Sequence, residues 1–199
     1  MADGSHLPVT ELPGRGPWTF LVLQANPEPA GRGQGSAARF LTRFGRVVVP
    51  DLRQRPGWGG PPDDPGLLDL VDDLDQVRTR AGLGRPVLVG LGGLAPLALR
   101  AAADQPWAWR ALLLAEPTRS VTSAGLDRFD VPVLVLAADP PATDQAAPAR
   151  EGARAGVAWA RVDRPAWEEP ELVEALDRLL GRLGGGPGWP GIAPDAPPR

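Results

Sequence analysis

Residues 87–103 read VLVGLGGLAPLALRAAA, and this stretch decides the fold. Val87-Leu88-Val89 is a short apolar run with β-branched ends, suited to a strand buried on both faces. Gly90-Leu91-Gly92-Gly93 is a glycine-rich turn, and Leu94 to Ala103 is an alanine-rich helix. A strand that turns sharply into a helix displays one residue above the end of its sheet. Here that residue is Gly92, which has no side chain to display.

The same apolar pattern recurs on either side of this unit. Trp18 to Leu23 and Arg46 to Pro50 precede it; Ala111 to Ala115, Val131 to Leu136 and Val157 to Val162 follow it. Helices are expected from Ser36, as an N-cap, to about Phe44, from Leu67 to Ala81, and from Pro170 to about Leu183. In the second of these, Leu67, Leu70, Val71, Leu74 and Val77 form one stripe. Its other face carries Asp69, Asp72, Asp73 and Asp75, which at helical spacing reads as a solvated face rather than a metal site. Strands that alternate with helices, each a continuous apolar run, predict an α/β fold with a mainly parallel sheet flanked by helices. Residues 1–16 are expected to be a flexible N-terminal segment and 17–183 a single domain, with 184–199 a disordered Gly/Pro-rich tail.

Composition narrows the chemistry. The 199 residues contain no cysteine, lysine or tyrosine, and the one histidine, His6, lies in the loose N-terminal segment. Disulfides, thiolate metal sites, a cysteine nucleophile, a Schiff base and a phenolic acid are thereby excluded, and a histidine base is not expected. Carboxylates, arginines, hydroxyls, amides and pocket shape remain. A net charge of −3 lacks the basic footprint of nucleic-acid binding. No apolar run approaches the roughly 20 residues that span a bilayer. The opening MADGSHLPVTEL lacks the regions of a signal peptide, so a cytoplasmic protein with no membrane partner is expected. Arginine in place of all lysine, with abundant Ala, Gly and Pro, points to a GC-rich bacterial genome.

Ligands of parallel sheets bind beyond the carboxyl ends of the strands. That rule singles out Gln24 and Asn26, Arg53 to Trp58, Leu91 and Gly92, Glu116, Asp139, and Asp163 to Trp167. Trp58 and Trp167 fall where they border a pocket mouth, either as a hydrophobic plug or as a stacking wall. Arg53 is placed to clamp a carboxylate or phosphate. Trp18 and Trp159 belong to strands, whereas Trp107 and Trp109 bracket a helix end and read as surface packing. A rival motif is present: Gly90-x-Gly92-x-x-Ala95 with Glu116 on the next strand satisfies a relaxed dinucleotide fingerprint. Such a motif normally sits on the first strand, and here two strands come earlier, so no cofactor is expected.

Over roughly residues 17–183 the chain resembles the α/β-hydrolase superfamily. The likeness rests on Val47-Val48-Val49-Pro50-Asp51-Leu52-Arg53 and on Val89-Gly90-Leu91-Gly92-Gly93 at the place of a G-x-S-x-G nucleophile elbow. It continues in Leu112 to Pro117, in Val131 to Leu136 with Asp139, and in Glu168-Glu169-Pro170. The resemblance implies a nucleophile at position 92, an acid near Asp139 and a histidine within about Asp163 to Ala166. Gly92 stands at the first place, no histidine at the last, and Gln24-Ala25 where the family commonly has His-Gly. The short stretch between Glu116 and Val131 leaves no room for a helical cap, so a lidless fold is expected. Triad hydrolysis needs a nucleophile and a base, and both are missing.

Two functions fit these departures. One is a non-hydrolytic catalyst of cyclisation, isomerisation or elimination on a small molecule of specialised metabolism. Glu116, Asp139 and Arg53 would be its catalytic groups, and Gln24, Asn26, Trp58, Leu91, Gly92 and Trp167 would bind the ligand. The other is a catalytically dead scaffold, sensor or partner subunit, with a protein partner or a second copy closing the open pocket. Neither requires a metal or cofactor.

Overall fold

The computed structural model describes residues 7–25, 34–54, 67–115, 131–137, 157–161 and 170–183. The strands are β1 (Val9–Leu12), β2 (Trp18–Leu23), β3 (Gly45–Pro50), β4 (Val87–Leu91), β5 (Ala111–Ala115), β6 (Val133–Ala137) and β7 (Val157–Arg161). The α-helices are α1 (Gln34–Leu41), α2 (Leu67–Arg80), α3 (Ala95–Asp104) and α4 (Pro170–Leu183). The strands form one sheet in the order β1-β3-β2-β4-β5-β6-β7. Only β1 runs antiparallel, against β3; the other pairings are parallel. The expected fold class is the observed one.

Alternation along the strands sorts the core into two layers. Leu21, Leu23, Leu88, Leu112, Leu114 and Val133 face the layer of α2 and α3. Phe20, Val22, Val89, Leu113, Leu134 and Leu136 face the layer of α1 and α4. The buried stretches of the central strands, Phe20 to Leu23, Val87 to Leu91 and Ala111 to Ala115, therefore carry no polar side chain, as a sheet covered on both faces requires. On α2, Leu70, Val71, Leu74 and Val77 are buried while Asp69 and Asp72 face solvent, as the helical stripe predicts.

Four local readings change. Residues 1–16 read as a loose segment, yet Val9–Leu12 is an edge strand in register with Val47–Pro50. Its polar composition suits an edge, where one side of the ladder meets solvent, and Glu11 pairs with Arg46 at 2.7 Å. Helix α1 begins at Gln34, two residues ahead of Ser36, so Ser36 is not its cap, and it ends at Leu41 instead of Phe44. The strand read from Val131 begins at Val133. Trp109, read as surface packing, is wholly buried, and its indole Nε1 donates to the Ala101 carbonyl at 3.1 Å. Its neighbour Trp107 does lie on the surface, 67% exposed. Residues on either side of a short helical turn face opposite ways, and the apolar pattern alone cannot say which is inside.

Candidate functional site

The strand order reverses direction at the centre of the sheet. From β2 the chain passes through α1 to β3 on one side, then crosses back through α2 to β4 on the other, and continues outward through α3 to β5. Since α1 and α3 lie on opposite faces, the carboxyl ends of β2 and β4 are left with a crevice between their departing helices. One residue beyond the last paired residues of these strands, Leu23 and Gly90, lie Gln24 and Leu91.

The turn that leaves β4 is built by its glycines. Leu91 is extended, at φ −104° and ψ 129°, and Gly92 steps directly to φ +54°. L-residues at such a φ carry strain of about 1–2 kcal/mol, because Cβ approaches the following carbonyl. A short 3₁₀ turn over Gly92–Leu94 then leads into α3, with the Ala95 N–H donating to the Gly92 carbonyl. Pro96, in the first turn of α3, needs no N–H partner there. Gly90 has a different reason. A Cβ at Gly90 would meet Ala98 Cβ at 2.7 Å and Ala95 Cα at 3.0 Å, so helix α3 can lie close to β4 only over a glycine. Gly92 and Gly93 are partly exposed. Leu91, expected as a wall residue, is 3% exposed and belongs to the core beneath α1 and α4.

Gln24 ends β2. It is 3% exposed, and among the described residues it is the one buried polar or charged side chain. The loop after β3 carries the third described group. Asp51 Oδ1 accepts from Arg53 Nε at 3.0 Å and from the Arg53 backbone N–H at 3.2 Å. Oδ2 accepts from Arg53 Nη2 and from Gln54 Nε2, both at 3.3 Å. These bonds, the Arg53 side chain foremost, hold the Asp51 carboxyl below its ordinary pKa of 3.8 against the opposing pull of burial. Leu52 anchors the turn in the core at 2% exposure. The Arg53 guanidinium, expected to clamp a ligand's carboxylate or phosphate, is bonded through Nε and Nη2 to Asp51. The sequence reading did not single out Asp51, although an acid two residues before an arginine in a turn is a local pairing signal.

The structure thus brings Gln24, Asp51, Arg53 and Gly92 to the carboxyl ends of three neighbouring strands. Asn26, Trp58, Glu116, Asp139 and Trp167 lie outside the described residues, as does the expected capless segment between Glu116 and Val131. Among the described residues no three acids or histidines group to hold a metal ion, and no helix is long and apolar enough to cross a membrane.

No family model matches the chain, and no curated protein matches it significantly. Solved structures do. An α/β hydrolase from Novosphingobium aromaticivorans aligns at TM-score 0.60 and 18% identity, over 91% of this chain and 95% of that one. An α/β serine hydrolase homologue from Coxiella burnetii aligns at TM-score 0.55 and 20% identity, over 87% of this chain and 89% of that one. A probable hydrolytic enzyme from Pseudomonas aeruginosa aligns at TM-score 0.55 and 16% identity, over 89% of each chain. The chain has the α/β-hydrolase fold.

Proposed function

We propose that this chain is a non-hydrolytic member of the α/β-hydrolase fold class, one that binds a small molecule at the carboxyl ends of β2 and β4. There it promotes a cyclisation, isomerisation or elimination. The observation that carries this reading is Gly92, whose φ of +54° keeps the backbone of an elbow while supplying no nucleophile. A glycine at the displayed position makes space above the turn and leaves backbone N–H groups able to polarise a carbonyl. Reactions driven by holding a substrate in a reactive shape need no covalent intermediate. Glu116 and Asp139 are assigned the proton transfers, and Trp58 and Trp167 the walls.

The test has two parts. Incubation with p-nitrophenyl acetate and p-nitrophenyl butyrate should release p-nitrophenol no faster than buffer does, with no stoichiometric burst. Native mass spectrometry of protein purified gently from its own host should then show a retained small molecule. A burst, or covalent labelling by a fluorophosphonate, would overturn the reading. An empty pocket together with a co-purified protein would favour the scaffold alternative.

A further inference from the structure

The amino end of the sheet gathers positive charge on a chain whose net charge is −3. Helices α1 and α2 finish there, with Arg39 in the last turn of the one and Arg78 and Arg80 in that of the other. Arg43 lies in the link from α1 to β3, and Arg46 on β3 itself. Arg15 joins them, its backbone N–H donating to the Thr42 carbonyl at 3.3 Å. The described acids at this end are Glu11, Asp75 and Asp104, in ion pairs with Arg46, Arg78 and Arg100. Arg15, Arg39, Arg43 and Arg80 are exposed.

A helix C-terminus attracts cations through its dipole, which accounts for Arg39, Arg78 and Arg80. It does not account for Arg15, Arg43 and Arg46, and still less for Trp107. That residue sits in the short turn over Pro106–Ala108, between α3 and β5 and so at the same end of the sheet. It is 67% exposed, two residues before the wholly buried Trp109. An indole left in water gains free energy when something covers its ring, and its N–H favours a wet boundary over a dry core. Positive charge and an exposed indole together fit a layer of anionic headgroups over an apolar interior. Nucleic acid would also meet the charge, but base stacking uses several aromatic faces along a groove. Among the described residues Trp107 is the one large aromatic side chain that is exposed. The expectation of no membrane partner weighed spanning and secretion; adsorption to a surface requires neither.

We infer that the amino end of the sheet is a docking face for a lipid surface bearing anionic headgroups, with the arginines supplying the attraction and Trp107 entering the headgroup layer. Docked in this way, the molecule turns the carboxyl ends of β2 and β4 away from the membrane. Such docking is independent of any reaction at Gly92.

The full chain would be sedimented with sucrose-loaded vesicles of phosphatidylcholine alone and of phosphatidylcholine with about 30% phosphatidylserine. In about 0.05 M salt it should bind the mixed vesicles about tenfold more tightly or better, and that excess should shrink in about 0.3 M salt as the charges are screened. Trp107→Ala should weaken binding to the mixed vesicles about tenfold and leave the melting temperature unchanged, because most of the residue lies in water. Arg39→Gln, Arg43→Gln and Arg80→Gln combined should remove the preference for phosphatidylserine. Equal binding to both vesicles, or binding to the mixed ones that Trp107→Ala leaves unchanged, would overturn the inference. So would absence of binding to either vesicle at the lower salt; retention on a single-stranded oligonucleotide in that case would mark a nucleic-acid face instead.

Discussion

The two ends of the sheet are built on opposite plans. At the amino ends of the strands, arginines fasten loops to one another: Arg46 donates to the Ala81 carbonyl at 2.8 Å, Arg85 to that of Trp109 at 2.9 Å, and Arg78 to that of Gly84. Trp109 fills the space beneath them, and the Arg110 guanidinium lies 5.2 Å from the centre of the Trp18 ring. At the carboxyl ends of β2, β3 and β4 the described residues instead offer two glycines, one buried amide and the Asp51–Arg53 ion pair. The first end is a place where side chains satisfy the protein's own backbone. The second leaves backbone groups partly exposed at Gly92 and Gly93. On the proposed function, stability and ligand binding would be separated along the strand axis, so that one end could change its chemistry without unfolding the other.

The sharpest way to break that contrast is at the amino end. Trp109→Ala removes a wholly buried indole and its hydrogen bond to Ala101, and should cost about 3–5 kcal/mol in denaturant unfolding, enough to threaten folding at 37 °C. A loss below about 1 kcal/mol would show that this end is not where stability resides. Gly90→Val comes next: its side chain would collide with Ala98 and Ala95, and overpacking of this kind costs about 1–3 kcal/mol in the same measurement. This tests whether the elbow is held by close packing of α3 on β4.

Gly92→Ala should cost about 1–2 kcal/mol, the strain of a side chain at its positive φ. Gly92→Ser should carry the same strain and still fail to hydrolyse p-nitrophenyl esters, since residues 163–166, where the resemblance implies a histidine, contain none. Turnover by that variant would mean the crevice holds a base that the sequence does not reveal.

The Asp51–Arg53 pair is a smaller effect with a defined pH window. Its carboxyl pKa is lowered on folding, so its contribution is present in full above the ordinary 3.8 and is lost as pH falls through the lower folded value. The difference in melting temperature between the wild-type protein and Asp51→Asn should therefore be flat from pH 7 to 5 and shrink below pH 4. A difference that persists at pH 2.5 would show that the loop is held by something other than the charge. Smallest of all, Glu11→Ala should change stability by less than about 1 kcal/mol, since both it and Arg46 are well exposed.

Much of this was legible in the chain itself. A run such as Val87-Leu88-Val89 reports burial on two faces, an alanine-rich stretch reports a helix that can approach closely, and the glycines between them report a sharp turn. These are local properties, carried by neighbouring residues. Absent residue types are equally direct: no arrangement in space can supply a cysteine, a lysine or a second histidine. By itself, then, the sequence determined the α/β class, the place of the sharp turn between β4 and α3, and the absence of a side chain at Gly92.

Tertiary structure decided which elements meet. That Val9–Leu12 would pair with β3 depends on an open sheet edge some forty residues away, and nothing in four half-polar residues announces it. The burial of Trp109 beside an exposed Trp107 depends on where α3 ends relative to the sheet. Leu91 proved to be core because the alternation of β4 carries it under α1 and α4, and Arg53 proved to be Asp51's partner because a turn folds the two together. The strand order that opens a crevice between β2 and β4 is likewise a matter of long-range pairing. Periodicity records which face of an element is buried; it carries no record of the surface that buries it.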